Sequence, residues 1–430
     1  MKKFLSKQKK LILMILFTLA ALFIWRIGTK VKLPFVNIKV PQEADNTSIF
    51  GFLDIFTGGA LSQFSILALG ISPYITASIV IQLLQMDIVP IFKEWAEEGP
   101  SGKEKLNRWT RYLALFLAFI QALTIIIGFN TSYGNMYFEG FATGPFTYVY
   151  MALVMTAGTA FVLWLSDQIT MRGIGNGASM MIVAGIVAGL PAMFTQLGKT
   201  YLTSTSSFGD IATFVLIVVI FLIVMIGVIY MEGLQRRIPI QYSNRPAAAQ
   251  LRGKQDSNIP IKLNSASVIP VIFAATLLSL PMTIINFIMQ KNETTDLNWW
   301  EQIFSYQKPI GFALYIILIF LFAFFYSFLQ INPDKVSEDL KKQNAYIPGV
   351  KPGEDTAAYI SKVLFKITLL GATYLAIVAS LPIILGNIFN LGSSVQIGGT
   401  SLMIVVGVAV ETAKQIKTET QSQEYRGFLG

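Results

Sequence analysis

The apolar stretch from Ile49 to Leu84 cannot be one spanning helix, because Gly58-Gly59, Gly70 and Pro73 break it. It divides into two pieces in series. Phe52 to Phe64, short, glycine-rich and carrying Asp54, reads as a re-entrant or half-inserted element. Such an element must be covered by protein, since lipid offers its backbone no hydrogen-bond partners. The second piece begins near Ile71. Wound as a helix, it gathers Ile71, Ser78, Gln82, Ile75, Ile79 and Gln85 within a stripe roughly 120° wide. The first half of that stripe is isoleucine, and its cytoplasmic half is Ser and Gln. A wall sealed at mid-membrane and wet on one side has this character, as does a bundle-core helix whose polar residues bond its neighbours.

The rest of the chain points to the same solvent. Of its 430 residues 53% are hydrophobic and 13% charged, against roughly 25% charged in soluble domains. This is an integral membrane protein. With no Cys and no His, thiol chemistry, imidazole metal ligation and the commonest general base are excluded. A net charge of +9 would suit nucleic acid or anionic lipid if it were diffuse. It is confined to alternate loops instead.

The start, MKKFLSKQKK followed by Leu11 to Ile24, imitates a signal peptide, but no small-residue cleavage site follows. It is therefore a first transmembrane helix with a cytoplasmic N-terminus. Further runs long enough for a bilayer lie at Trp109–Phe129, Tyr148–Leu165, Ala178–Met193, Ile211–Tyr230, Val268–Met289, Gly311–Leu329, Phe365–Leu385 and Gly398–Ala413. With the broken second helix, ten crossings are predicted. On that topology only Lys30, Lys32, Lys39, Lys199, Lys291 and Lys308 face outside, and Arg26 lies at the outer end of helix 1. The other Lys and Arg face the cytoplasm, as the positive-inside rule requires.

Helices 1 to 5 and 6 to 10 form two halves of opposite insertion sense, 1–196 and 210–430, joined by an external hinge, 197–209. An inverted pseudo-twofold is permitted by that arrangement. Two long cytoplasmic loops, 232–267 and 331–361, carry turn residues such as Ile347-Pro348-Gly349 and Lys351-Pro352-Gly353. They read as solvated anchors or as ordered protrusions that dock a partner. Gly173 to Gly177, GIGNG, is no dinucleotide loop, because it follows a membrane helix and lacks the spacing.

GFLDIFTGGALSQFSILALGISPYITASIVIQLLQ closely resembles the plug and second transmembrane helix of the bacterial SecY family, the channel subunits of the Sec translocon. IGGTSLMIVVGVAVETAKQIKTE and EYRGFLG resemble the Gram-positive members, and the resemblance covers nearly all of the chain. It implies an all-α membrane protein of ten transmembrane helices, in two inverted halves around a central pore, with a re-entrant plug helix at 52–64. It implies an apolar pore ring of Ile75, Ile79, Ile182, Ile272 and Ile404, residues that without it would be taken for packing. The plug would hold Leu53, Asp54, Ile55, Phe56, Gly58, Gly59, Ala60 and Leu61. Ala178 stands where the family usually has a larger apolar residue.

Helix 7 is expected to open at Ile259-Pro260-Ile261-Lys262-Leu263-Asn264 and to kink at Pro270. Asn264 could then bond Gln82, Ser78 or Gln121, either as helix glue or as the polar seam of a lateral gate between helices 2, 3, 7 and 8. Arg236, Arg237, Arg245, Arg252, Lys254 and Lys351 are the expected cytosolic docking residues, with Lys351 standing where the family most often has arginine. A ribosome would offer them phosphates, and a motor protein an acidic patch.

The function implied is a protein-conducting channel in the cell membrane, with both termini cytoplasmic, that passes unfolded polypeptides and releases hydrophobic segments sideways into lipid. It is not an enzyme, and it needs no cofactor and no metal. The resemblance implies SecE and SecG subunits, the SecA motor ATPase, the ribosome, signal peptides, nascent chains and membrane lipid as partners. An ion-coupled solute transporter is the alternative, and it would need a titratable group at depth. Asp54, Asp167, Asp210 and Glu411 all fall near helix ends or in the plug.

Overall fold

In a computed structural model the chain is described at residues 9–34, 36–37, 57–85, 89–133, 137–138, 145–202, 208–242, 257–266, 268–278, 281, 298–305, 308–388 and 393–426. Each expected membrane run carries a helix there. They are α1 (Lys9–Gly28), α2 (Ser72–Leu84), α4 (Pro100–Tyr133), α5 (Pro145–Arg172), α6 (Gly177–Tyr201), α7 (Phe208–Gly233), α8 (Ile269–Leu278), α10 (Pro309–Gln330), α12 (Glu354–Ile388) and α13 (Ser393–Arg426). Short α3 (Pro90–Glu97), α9 (Asn298–Phe304) and α11 (Pro333–Lys342) lie between them. Among the described residues six helices are long and apolar enough to cross a bilayer: α1, α4, α5, α7, α10 and α12. The apolar parts of α2, α6 and α8 are shorter.

Local chemistry sets several boundaries. Pro73 and Pro309 sit in the first turns of α2 and α10, where a missing N–H costs nothing. Asn176 caps α6 by accepting from the Ala178 amide at 3.0 Å, and Asn332 caps α11 through Asp334 and Lys335. The turn between α5 and α6 is tied to both ends of the chain: the Ile174 amide donates to Thr18 Oγ1 and the Gly175 amide to Gln415 Oε1, each at 2.9 Å.

Helices α4 and α5 pack on each other, α2 lies on α4, α12 bridges α10 and α13, and α13 contacts α6 and α7. The α5 face nearest the turns after residue 57 is small by necessity. A Cβ on Gly158 would stand 2.0 Å from the Ile66 carbonyl oxygen. Gly158→Ala is expected to cost about 1–3 kcal/mol through forced backbone shifts, read as a lower thermal midpoint of the detergent-solubilised chain.

Three expectations are corrected. Ser257–Lys262, expected in part to open helix 7, is strand β4, paired antiparallel with β3 (Gln235–Tyr242) from Gln235↔Lys262 to Ile240↔Ser257. A third strand, β5 (Ala345–Tyr346), lies on the other side of β3, while β1 (Val36–Asn37) and β2 (Tyr137–Phe138) pair separately. The reason is period: Ile259 and Ile261 alternate with Asn258, Pro260 and Lys262. That pattern turns isoleucine toward a cluster holding Ile238, Leu340, Ile347 and Leu364. Pro260 is tolerated because β4 is an edge strand. Second, Pro270 makes no kink within the helix; it stands in the first turn of α8, where its ring displaces no intrahelical hydrogen bond. Third, α6 continues to Tyr201, so Leu197 to Tyr201 is helical where an external hinge loop was expected.

Candidate functional site

The five expected ring residues come from α2, α6, α8 and α13. Ile79, Ile182 and Ile404 are buried within one apolar cluster, and Ile75 and Ile272 pack half-buried against it. Ala178 joins the same margin. That cluster also takes in Leu67, Val271, Phe322 and Leu375, so the five isoleucines lie within one extended apolar core rather than in separate ones.

Beside it, residues 58–71 run as successive turns, so the described part of the expected plug helix past Thr57, 58–64, is not helical; positive φ at Gly58, Gly59 and Phe64 interrupts it. Leu53, Asp54, Ile55 and Phe56 lie outside the described residues. Gly58 and Gly59 take φ of +68° and +80°, a conformation open to glycine at little cost. The Gly58 carbonyl accepts from Arg26 Nη1 at 2.6 Å. Ala60 and Leu61 are buried, Leu61 among Leu33, Phe64 and Ala118. This part of the stretch is thus covered by protein.

The seam between α2, α8 and α10 is built differently from the sequence expectation. Gln82 Nε2 donates to Ser78 Oγ at 3.2 Å, and Tyr326 Oη on α10 donates to Gln82 Oε1. The ring of Phe273 on α8 meets Phe322 at 5.8 Å and Tyr326 at 5.1 Å, both edge-on. Asn264 takes a partner other than the expected ones: its Nδ2 donates to Glu232 Oε1 at 2.8 Å. Gln121 is half-buried on α4 and makes no hydrogen bond among the described residues. Sequence reasoning missed Phe273, Tyr326 and Glu232. For Tyr326 a signal existed, since a hydroxyl inside the apolar run of α10 must find an acceptor.

Arg236 and Arg237 are exposed on β3, and Lys351 is exposed on the loop that follows β5. Ile347 and Val350 pack into the cluster under the sheet, so these cations stand on one ordered platform. Tyr346 Oη donates to Gln241 Oε1 at 3.1 Å, and Thr356 Oγ1 to the Lys351 carbonyl at 2.7 Å. Arg245, Arg252 and Lys254 lie outside the described residues.

Comparison with known proteins places these features in context. The SecY family model matches residues 65–413. A protein translocase subunit SecY of Bacillus licheniformis is 45% identical over 417 residues, covering 96% of each chain. Among solved structures, a protein-conducting channel superposes with a TM-score of 0.67 at 18% identity, over 96% of this chain and 93% of the other. Sec61 from the canine ribosome–channel complex of the endoplasmic reticulum gives 0.65 at 17% identity, over 96% and 93%. At such identities the two structures speak for the fold alone.

Proposed function

The chain belongs to the SecY family, and from that premise we infer that it is a protein-conducting channel of the membrane. One observation supports the mechanism: isoleucines from four helices belong to, or pack against, the same apolar cluster. A polypeptide passing there would be gripped by methyl groups that reseal behind it, while ions are refused for want of hydrogen-bonding walls. The α2–α8–α10 seam supports sideways release of hydrophobic segments into lipid. Release there needs no catalysis; it lowers a barrier by offering a wet path beside an apolar exit. We further infer SecE and SecG as its subunits, SecA and the ribosome as cytosolic partners, signal peptides and nascent chains as cargo, and a cell-membrane location with both termini cytoplasmic. A ribosome is supported by the exposed cations of the platform, Arg236, Arg237 and Lys351, which would meet its phosphates.

The native chain has no cysteine, so engineered pairs are clean. With a substrate stalled partway, a cysteine at Ile75 or Ile272 is expected to form a disulfide with one in the substrate, while Val219, exposed on α7, does not react. Translocation with no ring crosslink would sink the assignment. Reversing Arg236 and Arg237 to Glu is expected to reduce ribosome cosedimentation about tenfold or more at low salt, since each lost phosphate contact flattens the salt dependence. Undiminished cosedimentation would move the docking surface elsewhere.

A further inference from the structure

We propose that Glu232 is a positioning residue: it fixes the junction from which α8 leaves the cytoplasmic sheet, and so sets whether the seam with α2 is closed. The proposal rests on the reading of α2, α8 and α10 as a lateral seam.

Glu232 ends α7 and is 6% exposed. A carboxylate so placed is costly unless its oxygens are satisfied. Asn264 Nδ2 supplies one bond, at 2.8 Å. The Leu263 amide donates to the Leu234 carbonyl at 3.0 Å, carrying the β3–β4 ladder to the same point. From α13, Lys414 Nζ donates to the main-chain oxygen of Glu232 at 2.9 Å. Helix α12 closes the far side, where a Cβ on Gly371 would stand 2.8 Å from the Leu263 carbonyl oxygen. Helix α7, the lead into β3 and α12 therefore surround Leu263 and Asn264 just ahead of α8, and α13 joins them through Glu232.

Two of the helices tied there also carry ring residues. Helix α8 bears Ile272 and, next to it, Phe273 of the seam. On α13 the rise from Ile404 to Lys414 is about 15 Å. Helices are stiff along their axes, so a shift at the node reaches both the ring and the seam. Glu232 touches neither and acts through Asn264.

A donor–acceptor swap tests this. Asn264→Asp sets two carboxylates face to face, which disfavours both being ionised and close. Adding Glu232→Gln restores one hydrogen bond with its direction reversed. Spin labels on Ile120→Cys in α4 and Leu277→Cys in α8, both exposed positions, read the position of α8 in the full chain in nanodiscs. Insertion of test segments of graded hydrophobicity reads the seam in membranes. Asn264→Asp is expected to change the label distance and to raise the inserted-to-translocated ratio of a marginal segment about tenfold, and the double variant to restore both. An unchanged distance in Asn264→Asp, or a double variant as altered as the single, overturns the proposal. A distance that shifts and returns while insertion stays constant overturns the lateral-seam reading itself. Should Asn264→Asp fail to accumulate, Asn264→Leu is measured in its place, with a shift again expected and its absence again fatal.

Discussion

Phe273→Ala is expected to loosen the α2–α8–α10 seam by about 3 kcal/mol, the lower end of what truncating a packed Phe costs. Its ring touches both Phe322 and Tyr326 of α10, so the cavity opens beside the tyrosine whose hydroxyl reaches Gln82 of α2. A loss of that size shifts an open–closed equilibrium by more than about a hundredfold. Marginally hydrophobic segments should then exit to lipid that are otherwise translocated, and labels on α4 and α8 should move apart without any substrate. Tyr326→Phe is the contrast. It removes only the bond to Gln82, and inter-helix bonds in membranes average about 0.6 kcal/mol, or about threefold in population. If the two variants behave alike, polar bonding holds the seam; if Phe273→Ala dominates, aromatic packing does.

Converting Ile75, Ile272 and Ile404 together to serine is expected to open the closed channel to ions. Each exchange removes apolar surface worth about 2 kcal/mol against wetting. Three sum to about 6 kcal/mol, above the roughly 5.5 kcal/mol that carries a two-state equilibrium from 1:99 to 99:1. Halide leak from proteoliposomes should rise by at least about a hundredfold, while Ile404→Val alone changes it little. A triple variant that stays tight would move the seal to another part of the molecule.

Part of this was legible in residues alone. Ten apolar runs, alternating loop charge and the absence of His and Cys are one-dimensional properties. The bilayer reads them locally, by length and by charge at each boundary. The glycines that break the stretch around Phe52–Phe64 likewise forbid a spanning helix wherever the chain folds.

Tertiary structure decided the rest. Alternation over Asn258–Lys262 is too short to separate strand from helix until β3 is there to pair with it. Asn264 could have met Gln82, Ser78 or Gln121, since an amide bonds any suitable neighbour within reach; only the return of β4 beside the end of α7 brings Glu232 to it. Phe273 looks like ordinary apolar content in its own segment, and the Tyr326 hydroxyl signals only that some acceptor is near; the two become a joint only where α8 and α10 meet. What the bilayer imposes residue by residue is written in the sequence, whereas which side chains meet depends on how rigid helices are juxtaposed, and packing settles that over distances no local pattern records.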